Sequence, residues 1–240
     1  MTNIIRKDES TLLKGGKLSG SKTSFQNRVR SNVVDVSELP NRICLMLDCS
    51  SSMSTYEAKR SGDDSTRIEL LKEAVENFIA RCNFVDTAIA IETFPPSISV
   101  PLTNNLSVLQ SSTFGLHASG NTPMHQCVSR SIEKLAMTRA VLVSDGEATD
   151  WKYFDKKEPQ DDILTKYKDA KIPIDCVHIS NDSGGETLLR RIAEATEGLF
   201  LKFTDVSAFA SAFGYLTPGL RGMLTNGSVS ANDLGAKEVR

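Results

Sequence analysis

An alternation constrains this chain more than any other feature. Six short apolar runs are separated by amphipathic segments with helical spacing. Arg42–Leu47 (RICLML), Thr87–Phe94 (TAIAIETF), Ile98–Leu102, Ala140–Val143, Ile172–Ile179 and Leu199–Phe203 read as strands. They are too short for helices, and most lack polar alternation, as strands buried on both faces do. Pro101 puts the third at an edge. Between them, Ile68, Leu71, Val75, Phe78 and Ile79 mark a helix over 67–81. Pro123 opens another that carries Met124, Val128, Ile132 and Leu135. Further helices are expected at 162–170, 188–196 and 206–216, and residues 105–118 fit a helical turn and a loop. This pattern specifies an α/β fold: a doubly wound, Rossmann-like, mainly parallel six-stranded sheet with helices on both faces. In the strand order 3-2-1-4-5-6, strands one and four are neighbours at the topological switch point. Ligands bind beyond the carboxyl ends of the strands there.

Composition narrows the class. With 240 residues, 40% hydrophobic and 24% charged, the chain can bury a core without a disulfide or metal staple. No apolar run approaches the ~18 residues of a membrane span, and the opening MTNIIRKDES has no apolar h-region. Five cysteines (Cys44, Cys49, Cys82, Cys127, Cys176) are scattered without CxxC spacing, so neither a disulfide framework nor a zinc site is expected. These features predict a reducing, cytoplasmic setting. The net charge of −2 is unevenly spread. Residues 1–32 hold seven Lys/Arg against two acidic residues, a net of +5, which leaves −7 on the rest. The predicted organisation is a flexible basic extension over 1–37, an ordered domain over 38–218 and a flexible tail over 219–240.

Two polar clusters follow strands one and four. The first is Asp48-Cys49-Ser50-Ser51-Ser52. An Asp-x-Ser-x-Ser pattern is weak alone in a chain with 27 serines, and its plain reading is a serine-rich turn. In an extended segment, however, residues two apart project the same way, so Asp48, Ser50 and Ser52 converge. One carboxylate and two hydroxyls are hard oxygen ligands suited to Mg²⁺ or Mn²⁺. Thr122, in Gly120-Asn121-Thr122-Pro123-Met124, reads most simply as a helix N-cap. Asp145, in Ser144-Asp145-Gly146, reads as part of a strand-ending turn.

Together, DCSSSM, SGNTPM, AVLVSDGEATD, IPIDCVHIS and LLRRIAEATEGLFLKFTD resemble the von Willebrand factor type A (VWA) family and its metal-ion-dependent adhesion site (MIDAS). The resemblance runs from about Arg42 to Leu216. It implies a VWA fold and a metal site of Asp48, Ser50, Ser52, Thr122 and Asp145 that holds Mg²⁺ or Mn²⁺. It implies a binding module rather than an enzyme, whose ion accepts an Asp or Glu from a partner protein. The layout is similar to intracellular stand-alone members such as the tellurite-resistance-associated type. Because some members work beside AAA+ ATPases or in multiprotein assemblies, a partner of that kind is expected, with no membrane. The chain departs from the family at Ser54–Thr66, a longer link into the first helix that carries Lys59, Arg60, Asp63 and Asp64. It is either a rim over the site or a simple loop.

Other residues carry less. His117, His125 and His178 lack metal-ligand spacing and read as structural or surface residues. Glu147, Thr149 and Asp150 read as a solvated loop, with second-sphere tuning of the ion as the alternative. Cys49 has no feature that would activate a thiol. Trp151 and Tyr153 fit either a contact at the binding face or packing over the loop. No P-loop and no GxSxG elbow is present. Two other functions stay open: a metal-assisted hydrolase using Asp48 or Asp145, and nucleic-acid tethering through the basic arm.

Overall fold

The computed structural model describes residues 35–238 except 59–63, 135, 147, 152–161, 181–183, 204–205, 219–220, 223–229 and 231. The basic extension falls outside the described residues up to Val34. The sheet strands are β1 (Asn41–Asp48), β4 (Thr87–Phe94), β5 (Ser99–Thr103), β6 (Arg139–Ser144), β7 (Ile174–His178), β8 (Phe200–Phe203) and β9 (Ala236–Glu238). A separate two-stranded hairpin, β2 (Tyr56–Ala58) with β3 (Asp64–Thr66), precedes the first helix. The helices are α1 (Arg67–Arg81), α2 (Leu106–Phe114), α3 (Met124–Lys134), α4 (Asp162–Asp169), α5 (Gly184–Ala195) and α6 (Val206–Ala212).

The sheet order is β5-β4-β1-β6-β7-β8-β9. The inner pairings are parallel, and the edge strands β5 and β9 are antiparallel. The six expected strands are all present in the expected order. The seventh, β9, comes from the segment read as a flexible tail, so the boundary at 218 does not hold for its described residues. A three-residue strand shows no periodicity, which is why β9 left no signal in the sequence.

Strand alternation divides the core between the two faces. Ile43, Leu45 and Leu47 of β1 point to one side, with Leu71, Val75 and Phe78 of α1, Phe209 of α6 and Phe213. Cys44 and Met46 point to the other, with Met124 and Val128 of α3, Tyr167 of α4 and Leu189 and Ile192 of α5. Every residue of β4 and β6 is buried. Each large apolar side chain so buried contributes about 1.5–3 kcal/mol of transfer free energy. Covering both faces is what allows these strands to be largely apolar.

Local chemistry sets the helix starts. Thr66 and Glu69 form a reciprocal capping box at α1, with the Thr66 N–H donating to Glu69 Oε2 at 2.8 Å. Asn105 caps α2 by accepting from the Ser107 and Val108 amides, which makes a helix of a segment read as a turn and loop. α5 begins four residues before its expected start, at the Gly184-Gly185 pair.

Candidate metal centre

β1 ends at Asp48 and β6 at Ser144. The two strands pair directly, with Leu47 opposite Val143, so their following loops lie side by side. Buried Asp48 accepts from the Ser50 N–H through Oδ1 at 2.8 Å and from the Ser144 hydroxyl through Oδ2 at 2.6 Å. The Ser50 and Ser52 hydroxyl oxygens are 2.9 Å apart. The Ser52 hydroxyl donates to Asp145 Oδ1 at 2.8 Å. Four of the five predicted ligands therefore form one hydrogen-bonded group drawn from two loops. Burial pushes the Asp48 carboxyl up to about 6; bonds from Ser144 and Ser50 offset this in part, and the Asp145 charge adds to it.

The fifth residue, Thr122, sits in a strap laced to both loops. The Ser51 N–H and hydroxyl both donate to the Gly120 carbonyl at 3.0 Å, and the Ser119 N–H donates to the Cys49 carbonyl. Gly120 adopts φ +71°, a left-handed conformation that glycine supplies without strain. The Thr122 carbonyl accepts from the Met124 and Thr149 amides. The Thr122 hydroxyl makes no hydrogen bond to a described residue, so it does not act as the helix cap. Asp150 fills that role: its two carboxylate oxygens accept from the His125 and Gln126 amides at 3.0 and 2.9 Å. An anion is well placed at the positive amino end of a helix. Thus Asp150, read as loop, joins the Asp145 loop to α3, while Trp151 is buried and meets the His125 ring edge-on at 5.0 Å. Tyr153 lies outside the described residues.

Sequence reasoning missed Arg67. Its Nη1 donates to Asp145 Oδ2 at 2.7 Å, and the pair is mostly shielded from solvent. The long link predicted from Ser54 to Thr66 explains how it arrives. β2 and β3 fold back on each other, and the Arg67 N–H donates to the Thr55 carbonyl. The insertion leaves and returns to one point, which sets the first residue of α1 against Asp145. The hairpin tip, with Lys59, Arg60 and Asp63, lies outside the described residues.

On the other side, backbone meets backbone. A Cβ at Gly185 would lie 2.5 Å from the Gly146 carbonyl oxygen, so the start of α5 can abut the Asp145 loop only as glycine. His117 is exposed, His125 belongs to α3 and His178 is buried in β7, so the histidines do not gather at the cluster. Burial pushes the Cys49 thiol up to about 12, which makes it a poor nucleophile.

The donor set fits a small hard cation. A Mg²⁺–oxygen bond of about 2.1 Å puts neighbouring octahedral ligands about 3.0 Å apart. The Ser50–Ser52 and Ser52–Asp145 oxygen spacings of 2.9 and 2.8 Å are ordinary hydrogen-bond lengths close to that edge, so these donors would need little movement to meet one ion. Arg67 takes the other Asp145 oxygen and leaves this edge intact.

No protein-family model matches the sequence, and no curated protein matches it. Solved structures do. The VWA domain of SpRpn10 superimposes with a TM-score of 0.55 at 16% identity, covering 74% of this chain and 95% of that one. BatB from Bacteroides thetaiotaomicron gives 0.53 at 12% identity, covering 72% and 95%. The vWF domain of the type V pili tip protein Mfa5 from Porphyromonas gingivalis gives 0.52 at 11% identity, covering 84% and 98%. At such identities the likeness concerns the fold. With a parallel central sheet covered on both faces and its two acidic loops at the switch point, this chain has the fold of a von Willebrand factor type A domain.

Proposed function

We propose that this chain is a protein-binding module whose Asp48, Ser50, Ser52, Thr122 and Asp145 hold one Mg²⁺ or Mn²⁺, and that this ion accepts a carboxylate from a partner protein. The observation that carries the reading is the convergence of Asp48, Ser50, Ser52 and Asp145, hard oxygen donors from two loops, in one hydrogen-bonded group. When bound, the ion supplies a directional Lewis-acid contact for an anionic oxygen. The chain's own groups do the rest. Asp48 orients the Ser50 backbone and is held by Ser144, so the serine loop is fixed before any ligand arrives. The hydroxyls of Ser50, Ser52 and Thr122 are neutral, so they leave the ion's charge available to an acidic partner.

The fold neighbours named as a pili tip protein and a pilus adhesin make a binding role natural for this scaffold. Free, mostly buried cysteines suit a reducing cytoplasm, and among the described residues no helix is long and apolar enough to cross a membrane. There, a component of a multiprotein assembly such as an AAA+ ATPase is the kind of partner we favour. The raised Asp48 carboxyl would suit a general base in a hydrolase. In this reading Asp48 fixes the serine loop through Ser50 and Ser144 and helps hold the ion, so we prefer binding to turnover.

The test has two arms. Excess Mg²⁺ or Mn²⁺ should raise the melting temperature, because a ligand at 100 times its Kd stabilises the native state by about 2.7 kcal/mol. Asp48→Ala and Asp145→Ala should abolish the rise. Affinity capture from the native host should then recover a partner that chelator and Asp145→Ala both release. An equal melting rise in the two variants would show that the ion binds elsewhere. Capture unchanged by chelator would exclude the ion from recognition, and phosphoester turnover lost in Asp145→Ala would favour the hydrolase.

A further inference from the structure

We propose that Arg67 is the resident cation of this site: it neutralises Asp145 in the metal-free protein and sets how tightly a divalent ion can bind. This deepens the metal-dependent reading above and rests on it.

Asp48 and Asp145 are both buried and lie in neighbouring loops linked through Ser50 and Ser52. Two carboxylates so placed repel each other when ionised, and water screens them poorly. The Arg67–Asp145 ion pair offsets part of that repulsion without a metal. The device is specific to where the chain is routed. Arg67 is the first residue of α1, and the β2–β3 hairpin returns to Thr55 just before it. An arginine is well suited to the task, because its charge is permanent and its planar fork holds a carboxylate oxygen directionally.

The same contact weakens an incoming ion. With the guanidinium on Asp145 Oδ2, the carboxylate has less negative charge to give an ion at Oδ1, and the two cations repel each other. Arg67 also orients the carboxylate, but Ser52 holds the other oxygen at 2.8 Å, so orientation survives without the arginine. The electrostatic effect therefore decides the sign. With the ion's two positive charges balanced by Asp48 and Asp145, Arg67 leaves the loaded site one positive charge in excess, which favours an acidic partner and disfavours a neutral one.

Titration calorimetry of the full chain with Mn²⁺ alone tests this. Arg67→Gln should bind Mn²⁺ about tenfold more tightly than wild type, equivalent to about 1.4 kcal/mol. Arg67→Lys, which keeps the charge, should stay within about threefold of wild type by the same scale. In chelator, Arg67→Gln should melt below wild type, and the difference should vanish in an Asp145→Asn background, where no charge remains to neutralise. Arg67→Met keeps the alkyl stem and carries the same test should the amide variant fail to fold. Unchanged or weaker Mn²⁺ binding in Arg67→Gln overturns the proposal, as does equal tightening in Arg67→Lys. Absence of Mn²⁺ binding to wild type overturns the metal-dependent reading and this inference with it.

Discussion

Two buried acidic centres occupy opposite ends of one sheet, and their surroundings are balanced in opposite ways. Near the amino end of β7, Asp175 accepts from Arg139 Nη1 at 2.8 Å, from Arg221 Nε and Nη2 at 2.7 and 2.8 Å, and from the Leu199 N–H at 2.9 Å. Burial alone would push its carboxyl up, but the Arg221 bonds and the charges of both arginines outweigh that and hold it below its ordinary value. At the carboxyl ends of β1 and β6, Arg67 pairs with Asp145, while Asp48 accepts from the Ser50 N–H and the Ser144 hydroxyl and is pushed up. Among the described residues, one centre sets two arginines on a single carboxylate, and the other shows one ion pair, at Asp145, beside a second carboxylate, Asp48. The first is saturated and ties β6, β7, the entry to β8 and the C-terminal segment together. The second has negative charge to spare at the end of the fold where ligands bind. Equal burial therefore does not mean equal purpose, and the count of compensating partners separates the two.

The largest expected effect comes from breaking the saturated centre. Asp175→Ala leaves two arginines facing a buried position without their counter-ion and should cost about 3–5 kcal/mol in denaturant unfolding, with or without Mg²⁺. A metal-dependent loss would mean that the two ends are coupled.

The two centres should also respond oppositely to acid. A carboxyl raised on folding contributes stability that is complete below its unfolded pKa, near 4, and is lost as pH rises through its folded value. For Asp48 the metal-free protein should therefore lose on the order of 1–3 kcal/mol between about pH 4 and about pH 6. Asp48→Asn should flatten that fall. A carboxyl lowered on folding does the reverse: the Asp175 contribution is present above pH 4 and disappears as pH drops toward its depressed folded value. Unfolding curves at pH 3, 5 and 7 in chelator check both limbs, and Asp175→Asn should remove the lower one alone. Protons and divalent ions compete for Asp48, so the Mg²⁺-dependent rise in melting temperature should shrink below about pH 6.

The smallest effect separates binding from capping at α3. Asp150→Ala should cost about 0.5–2 kcal/mol whether or not metal is present, because it removes the α3 cap. Thr122→Ala should leave metal-free stability within about 0.5 kcal/mol and diminish the metal-dependent part. The opposite pattern would return Thr122 to a capping role.

What was readable in the sequence was local or periodic. The strands announced themselves as short apolar runs, and parallel order then set Asp48 beside Asp145 with no side-chain information. Convergence of Asp48, Ser50 and Ser52 followed from their two-residue spacing. Arg67 was hidden because its position depends on the hairpin closing at Thr55, a contact between residues twelve apart that no periodicity encodes. Its neighbours did carry a signal: Thr66-Arg67-Ile68-Glu69 is a capping-box sequence and marks the first turn of α1. Asp175 was visible too, as a single charge inside the apolar run IPIDCVHI. Such a residue must be paired when buried, but Arg139 and Arg221 lie far away in sequence. Asp150 looked like an ordinary loop residue because its partners are backbone amides 24 and 25 positions earlier.

The hairpin before α1 has an architectural consequence. Because the chain leaves at Thr55 and re-enters at Arg67 with those residues already in contact, the length of the excursion between Ala58 and Asp64 is decoupled from the rest of the domain. Doubling a closed loop costs only about 0.6 kcal/mol in chain entropy. The position is thus a natural graft point. A longer or differently charged insert could be spliced there while the oxygen cluster itself stays as it is.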